Sequence, residues 1–292
     1  MKSPPLTIDQ SKEITVITRD NFSLAATCFE PIATNGKVVL IGSATAVYQK
    51  FYAPLAAYLA GEDYTVYTFD YRGIGGSRPT SLKNFAAKMQ DWGALDLDAM
   101  IVYITSRHRS AKLIYIGHSV GGQLVALAPR SYLFHKIVLV ASQLSYWKLW
   151  PTWSQLPYFL LMQTILPAVC YLFGYYPGRK LKLFYDMPKG VALEWALWCR
   201  SPNGLLDHHS DEVLKSLHTP LLAYSFSDDL IAPKKAVDAL LARYEQAQLV
   251  QRHYTPSELG MNRIGHFGFF RSEHQSIFWI QLLAWLKRPV AK

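Results

Sequence analysis

Residues 113–123 have the sequence LIYIGHSVGGQ, in which an apolar run leads into a Gly-x-Ser-x-Gly motif. The motif alone is a weak signal, because glycine and serine are common and chance matches occur in chains of this length. Its context is more specific: a predicted strand at 113–116 precedes it, and a predicted helix begins at Val120. A strand–turn–helix of this kind holds its serine in a strained backbone above the sheet. We therefore predict that Ser119 is a nucleophile; the alternative is a tight turn with an ordinary serine.

Short apolar runs alternate with helical patterns on both sides of this motif. Strands are predicted at 14–18, 22–29, 37–41, 65–69, 113–116, 136–140, 221–226 and 248–254, and helices at 52–59, 84–106, 120–128, 236–244 and 273–286. The first two strands form an antiparallel pair, and the later alternation indicates βαβ units. The sequence thus predicts an α/β fold with a mostly parallel central sheet and helices on both faces. Ligands of such sheets bind beyond the carboxyl ends of the strands.

A serine hydroxyl needs a base within hydrogen-bond reach, and an acid that orients the base. In this kind of fold the three follow in the order Ser, Asp or Glu, His. Strand 221–226 leads into Asp228 and Asp229, and both are candidates for the acid. His266 lies in a glycine-flanked loop between the last strand and the last helix, so it is the predicted base. The rival histidines are His253 and His274. His118 adjoins Ser119 and cannot reach round to act as its base.

Two N–H donors are needed to stabilise an oxyanion next to the nucleophile. One should be the N–H of Val120, the residue after Ser119, at the start of a helix whose dipole favours negative charge. The other should come from the loop after strand 37–41, which has the sequence GSAT at residues 42–45. We favour Ala44 as this second donor, with Ser43 as the alternative.

The chain resembles the α/β-hydrolase superfamily from about residue 14 to residue 285. The segment DYRGIGGS at 70–77 is similar to the Asp-x-Arg-Gly-x-Gly-x-Ser turn of that superfamily. The segments GYYPGR (174–179), PKGV (188–191) and GHFGFF (265–270) are similar to a group of uncharacterised bacterial hydrolases that are lysophospholipase-like. This resemblance implies a triad of Ser119, Asp229 and His266, because the spacing from Asp229 to Pro233 matches the acid turn of the fold. It also implies an inserted helical cap.

Residues 143–210 fall where the resembled fold has its cap, between a core of residues 1–142 and 211–292. Five of the eight tryptophans lie here: Trp147, Trp150, Trp153, Trp195 and Trp198. We expect more than half of these aromatics to pack within the cap, and the others to line a pocket for a small hydrophobic acyl substrate. Prolines at 151, 157, 167 and 177 interrupt the uncharged stretch 149–178, so a membrane span is not expected. Weak contact of the cap with a membrane surface is compatible with this composition.

Composition excludes several other classes of protein. The 30 basic and 21 acidic residues give a net charge of +9, but the basic residues are scattered and no nucleic-acid partner is expected. The three cysteines have no metal-ligand or disulfide spacing, and the first residues contain no apolar signal segment. We therefore expect a cytoplasmic enzyme that needs no metal and no organic cofactor. The oligomeric state stays open.

These features together predict a serine hydrolase that cleaves carboxylic ester or thioester bonds. An aminopeptidase-like enzyme is less favoured, since it needs carboxylates to hold a free amine and the cap contains only Asp186, Glu194 and Asp207. An acyltransferase would use the same triad, so the sequence does not separate it from a hydrolase. The third alternative is a non-catalytic binding module with the same fold.

Overall fold

A computed structural model of the chain describes residues 11–183 and 185–290. Its strands are β1 (Ser11–Ile17), β2 (Ser23–Phe29), β3 (Lys37–Gly42), β4 (Thr65–Phe69), β5 (Lys112–His118), β6 (Lys136–Val140), β7 (Tyr175–Tyr176), β8 (Met187–Pro188), β9 (Leu221–Phe226) and β10 (Leu249–Tyr254). Eight of them form one sheet in the order β1-β2-β4-β3-β5-β6-β9-β10, and β7 pairs with β8. Strands β1, β2 and β4 are antiparallel neighbours, whereas β4, β3, β5, β6, β9 and β10 run parallel. The predicted mostly parallel α/β sheet is confirmed.

Helices cover the sheet and bury its central strands. The helices are α1 (Ala53–Ala60), α2 (Met89–Asp91), α3 (Asp98–Arg107), α4 (Val120–Gln123), α5 (Thr152–Leu160), α6 (Leu166–Phe173), α7 (Gly178–Leu181), α8 (Lys189–Arg200), α9 (Glu212–Ser216), α10 (Lys234–Leu241) and α11 (Ile280–Lys287). Strand β5 is buried from its second residue to its last, which explains why its sequence is continuously apolar rather than alternating. Its carboxyl end carries Ser119.

The helix predicted at 84–106 begins later than expected. Asn84 has a positive φ of 60°, and the segment after it is irregular until α2 begins at Met89. Tertiary contact overrides the local pattern here, because the carbonyl oxygen of Ala87 packs against Gly190 of α8, where an added Cβ would lie 2.3 Å away. From Met89 the chain is helical through a π turn to the end of α3.

The segment 143–210, which we call the insertion, joins β6 to α9 and contains one long helix. Thr152–Phe173 is continuous over 22 residues, through α5, a π turn at Leu161–Ile165 and α6. The expectation that prolines divide this stretch is therefore wrong. Pro157 has no N–H to donate to the carbonyl one turn earlier, but Pro157 is exposed, so water can hydrate that carbonyl. Before Pro167 the helix widens into the π turn. By length and composition alone this helix could cross a membrane.

All three cysteines are free and buried. Cys28 lies in β2, whereas Cys170 and Cys199 lie in α6 and α8, which pack against each other. Burial raises the pKa of the Cys28 thiol to about 11, and the pKa values of Cys170 and Cys199 to about 12. The thiols are therefore packing groups at neutral pH. In the described part of the chain, no cluster of His, Cys, Asp and Glu has the arrangement of a metal site.

Candidate active site

Ser119 occupies the turn between β5 and α4, with φ 54° and ψ −121°. This backbone conformation is rare for a residue with a Cβ, and a non-glycine residue is held there only by its surroundings. The N–H of Ser119 donates to the carbonyl of Val140 at 3.0 Å, and its own carbonyl accepts from Gly122 at 3.0 Å. The turn thus has the strained strand–turn–helix form that the sequence predicts.

Glycines allow the turn to pack tightly. A Cβ on Gly117 would lie 2.8 Å from the Cα of Gly122, and a Cβ on Gly121 would lie 2.5 Å from the carbonyl oxygen of Gly42. The second contact is with the loop that follows β3. The glycines therefore bring the residue after the nucleophile close to the loop that was predicted to supply an oxyanion donor.

His266 and Asp229 are directly hydrogen-bonded. The distance between His266 Nδ1 and Asp229 Oδ2 is 2.8 Å, and both side chains are buried. Because a carboxylate oxygen can only accept, Nδ1 carries the hydrogen and Nε2 is left with a lone pair. The other carboxylate oxygen of Asp229 accepts the N–H groups of Ile231 and Ala232 at 2.8 and 2.9 Å. These bonds fix the carboxylate in place.

The neighbouring Asp228 has a different position. Its Oδ2 accepts the N–H groups of Ile264 and Gly265 at 2.8 and 3.0 Å, so it holds the backbone just before His266. The structure therefore brings Asp229, and not Asp228, to the imidazole. The rival histidines are engaged elsewhere: His253 bonds to Ser225, and His274 bonds to the carbonyl of Gly268.

Ala44 and Val120 line the same cavity as Ser119, but the N–H of Ala44 is already engaged. It donates to the hydroxyl of Tyr52 at 2.8 Å, which argues against Ala44 as the second oxyanion donor. Among the described residues, the N–H of Thr45 has no hydrogen-bond partner, and Thr45 lines the same cavity. The loop is the predicted one, but the candidate donor shifts by one residue, because the sequence does not reveal the partner of each N–H.

A buried chain of hydrogen bonds, not predicted from the sequence, joins this loop to the base. In the ring of His118, Nδ1 lies 2.9 Å from the Tyr52 hydroxyl oxygen, and Nε2 lies 2.9 Å from the carbonyl oxygen of His266. Burial lowers the pKa of His118 well below its usual 6.5, so the ring is neutral. Since the carbonyl can only accept, Nε2 carries the hydrogen and Tyr52 donates to Nδ1. Tyr52 and His118 are far apart in sequence, and only the position of His118 beside Ser119 hinted at a role.

The serine and the histidine open into one cavity of about 380 Å³. Its walls are mostly apolar groups of the insertion, together with the turn after β9. The insertion residues that line it are Gln143, Trp150, Pro151, Trp153, Ser154, Pro157, Tyr158, Leu161, Met162 and Trp195. Three of the five tryptophans of the insertion thus line the cavity, while Trp198 is fully buried.

The sequence profile of the serine aminopeptidase S33 family matches residues 34–192, more than half of the chain. The chain belongs to this family. The matched region includes the serine turn and much of the insertion, whereas Asp229 and His266 lie beyond it. No curated protein matches the chain.

Solved structures similar to this S33 family member show that its fold is the α/β-hydrolase fold. A soluble variant of monoglyceride lipase from Saccharomyces cerevisiae, in complex with a substrate analogue, has a TM-score of 0.68 and 14% identity, with 100% of both chains covered. An esterase from Pyrococcus furiosus has a TM-score of 0.60 and 18% identity, with 98% of this chain and 95% of that chain covered. A serine hydrolase without a lid from Xanthomonas campestris has a TM-score of 0.56 and 14% identity, with 98% and 100% covered.

The S33 family name refers to aminopeptidases, so the position of the carboxylates of the insertion is informative. Asp186 accepts hydrogen bonds from Arg78 and Arg179, Glu194 accepts the N–H of Gln90, and Asp207 accepts from Asn203. None of the three lines the cavity, and among the described residues no other carboxylate does. The cavity therefore has no anionic group with which to hold a substrate's free amine.

Proposed function

We propose that the protein is a serine hydrolase that cleaves the carboxylic ester or thioester bond of a hydrophobic acyl substrate. One observation carries the proposal: Ser119 and His266 line the same apolar cavity, while His266 is bonded to Asp229 at 2.8 Å. A nucleophile, a base and an orienting acid in this relation are what acyl transfer requires.

In the proposed reaction, Ser119 Oγ attacks the acyl carbon while His266 Nε2 takes its proton. Asp229 holds the imidazole in the tautomer that leaves Nε2 free, and stabilises the imidazolium that forms. The proton then passes to the leaving alcohol or thiol, and an acyl-enzyme remains. Water, deprotonated by the same nitrogen, attacks this intermediate, and the proton returns to Ser119 as the acid is released.

The negative charge on the tetrahedral oxygen needs donors that are already in place. We assign the N–H of Val120, at the start of α4, as the first donor. We assign the N–H of Thr45 as the second donor, in place of Ala44, because the N–H of Ala44 is bonded to Tyr52. Each such donor contributes about 3 kcal/mol to lowering the barrier.

The chemistry of the cavity favours an acyl chain over a peptide. Its walls carry tryptophan, leucine, methionine and proline side chains, and these suit a chain of methylene groups. Recognition of a free α-amine would require a carboxylate in the lining, and the described lining has none. We therefore place ester hydrolysis ahead of aminopeptidase activity. Acyl transfer to an acceptor other than water uses the same groups, and no contact in the cavity singles out such an acceptor.

The test uses a fluorophosphonate probe and a series of p-nitrophenyl esters of rising chain length. The wild type should be labelled, Ser119→Ala should not, and ester turnover should be highest for a chain long enough to reach the apolar walls. Aminoacyl p-nitroanilides provide the comparison for aminopeptidase activity. A wild type that neither reacts with the probe nor hydrolyses any ester would favour a binding module, and faster cleavage of the anilides would favour an aminopeptidase.

A further inference from the structure

The outward face of the long helix Thr152–Phe173 carries large apolar side chains in the solvent. Trp153 is 72% exposed, Leu156 is 62% exposed and Leu172 is 78% exposed, and Leu160 and Ile165 lie exposed between them. The steps between these residues are three, four, five and seven positions. The step of five coincides with the π turn Leu161–Ile165, whose extra residue per turn keeps Leu160 and Ile165 on one side. We call these five side chains the apolar ridge; at 1.5 Å per residue it is about 28 Å long.

A surface of this kind is unusual for a soluble enzyme. Scattered apolar side chains are normal on protein surfaces, but a contiguous row marks a surface that meets a protein or a membrane. The other side of the same helix packs inward through Met162, Leu166 and Cys170. The helix is therefore built into the folded insertion, and it can meet a bilayer along one face without leaving the protein.

The charges at the two ends of the ridge indicate which partner it fits. Residues 143–183 contain four basic residues and no acidic residue. Lys148 precedes the ridge, and Arg179, Lys180 and Lys182 follow it; all four are exposed, and of these Arg179 is ion-paired with Asp186. The ammonium groups of Lys148 and Lys180 lie 5.3 and 5.9 Å from the ring centroids of Trp147 and Phe173. Apolar side chains between aromatic and basic residues suit the interface of an anionic bilayer, where the basic groups meet lipid phosphates.

The ridge also adjoins the mouth of the cavity. Trp153 belongs to the ridge and lines the cavity as well, and Leu230, 65% exposed, lines it from the turn that carries Asp229. The entrance to the cavity therefore opens next to the surface that would touch the lipid. An acyl chain can pass from the bilayer to the cavity along apolar groups, without crossing water.

From these observations we propose that the apolar ridge docks on the surface of an anionic lipid bilayer, and that the Ser119 cavity takes its acyl substrate from that bilayer. The docking does not depend on the chemistry at Ser119. Only the delivery of substrate rests on the proposed function. Docking on lipid and hydrolysis can therefore be refuted independently of each other.

The experiment is flotation of the purified protein with phosphatidylcholine vesicles, with and without phosphatidylglycerol. The wild type should float with the anionic vesicles. The double variant Leu156→Glu, Leu172→Glu should have a partition coefficient at least about tenfold lower, because it removes two apolar contacts. The double variant Lys180→Ala, Lys182→Ala should lose about fivefold for each lysine on anionic vesicles, and little on neutral ones.

A matched control is Ile17→Glu, Ile32→Glu, which changes two exposed apolar residues outside the insertion in the same way. It should bind as the wild type does. Turnover of a soluble short-chain ester should be equal in all four proteins, since neither the ridge substitutions nor the controls line the cavity. With esters embedded in anionic vesicles, only the control should keep the wild-type rate.

The proposal is overturned if the wild type does not bind anionic vesicles, or if Leu156→Glu, Leu172→Glu binds as well as the control does. It is also overturned if the wild type forms a dimer that this variant abolishes and has no affinity for lipid, since the ridge is then covered by a second copy. Vesicle binding by a protein inactive on every ester would uphold docking and refute the proposed hydrolase. Activity on soluble esters without vesicle binding would uphold the proposed hydrolase and refute docking.

Discussion

The Nε2–H of His118 donates to the backbone carbonyl of His266 at 2.9 Å, so the residue before the proposed nucleophile holds the proposed base. On its other side, His118 accepts from the Tyr52 hydroxyl, and that hydroxyl accepts the N–H of Ala44. One neutral imidazole thus connects the serine turn, the base and the loop after β3. The spacing of these three segments of the candidate site depends on a ring that takes no part in the proposed chemistry.

Replacing Tyr52 with Phe should disturb this connection with little change in volume. The buried N–H of Ala44 and the Nδ1 of His118 would lose their partner, so the free energy of unfolding should fall by about 1–3 kcal/mol. Misplacement of the loop and of His266 should lower kcat by roughly 10- to 100-fold and leave KM nearly unchanged. Urea unfolding and ester kinetics measure the two effects.

The matched control is Tyr64→Phe, since the Tyr64 hydroxyl is buried without a hydrogen-bond partner in the described structure. Its loss should leave stability and kcat unchanged or slightly improve stability. Equal behaviour of the two variants would show that the Tyr52 hydroxyl has no positioning role.

Stability should depend on pH through His118. Because burial holds the pKa of this ring well below 6.5 in the folded state, the unfolded chain takes up a proton first as the pH falls. The stability present above pH 6.5 is then lost at up to about 1.4 kcal/mol per pH unit below it. His118→Gln keeps a donor to the His266 carbonyl but does not titrate, so its urea-unfolding free energy should fall less steeply between about pH 7 and pH 5. Parallel pH profiles for the two proteins would refute this account.

The two adjacent aspartates should differ sharply in their effects. Asp229→Asn places an amide where His266 needs an acceptor, which favours the wrong tautomer and should lower kcat by about 10⁴-fold with the fold intact. Asp228→Asn keeps a carbonyl oxygen to accept the N–H groups of Ile264 and Gly265, so kcat should stay within about tenfold of the wild type. Ester kinetics with circular dichroism as a folding check decides between them. The reverse order of activities would make Asp228 the acid.

Gly121→Ala should damage the site through the backbone. The new Cβ would lie 2.5 Å from the carbonyl oxygen of Gly42 and 3.0 Å from that of Ser43, so α4 and the loop after β3 must move apart. Such overpacking costs about 1–3 kcal/mol of stability. It should also lower kcat, because Val120 and the loop would no longer face one oxyanion.

Gly190→Ala is the control for this variant, since its Cβ would lie 2.3 Å from the carbonyl oxygen of Ala87, away from the cavity lining. Measured by urea unfolding, both variants should lose stability. Measured per folded molecule, only Gly121→Ala should lose kcat, and an equal loss in both would remove the oxyanion explanation.

The predictable part of the molecule is the part set by local pattern and chain order. The apolar run before Ser119 and the alternation of strands and helices follow from short-range physics, whereas the order of Ser119, Asp229 and His266 was expected from the resemblance to the α/β-hydrolase superfamily. What the sequence did not reveal depends on partners distant along the chain. The late start of the helix at Met89 reflects packing against Gly190, and the engagement of the Ala44 N–H reflects the side chain of Tyr52.

The long helix of the insertion shows that a rule about single residues can mispredict a whole helix. Proline disfavours a helix interior, and that rule predicts a break at Pro157 and Pro167. The rule does not include the compensation that a π turn and exposure to water provide. Hydrogen-bond register inside a helix is a property of the whole segment, which no single residue reveals.

The labelling rates of the three buried thiols report which part of the molecule opens. Cys170 and Cys199 lie in α6 and α8 of the insertion, whereas Cys28 lies in the sheet. Each reacts with a maleimide only after its surroundings open, because the thiolate is scarce and enclosed. Separation of α6 from α8 would expose Cys170 and Cys199 and leave Cys28 protected, while global unfolding would expose all three at one rate. The order of labelling therefore distinguishes local opening of the insertion from global unfolding.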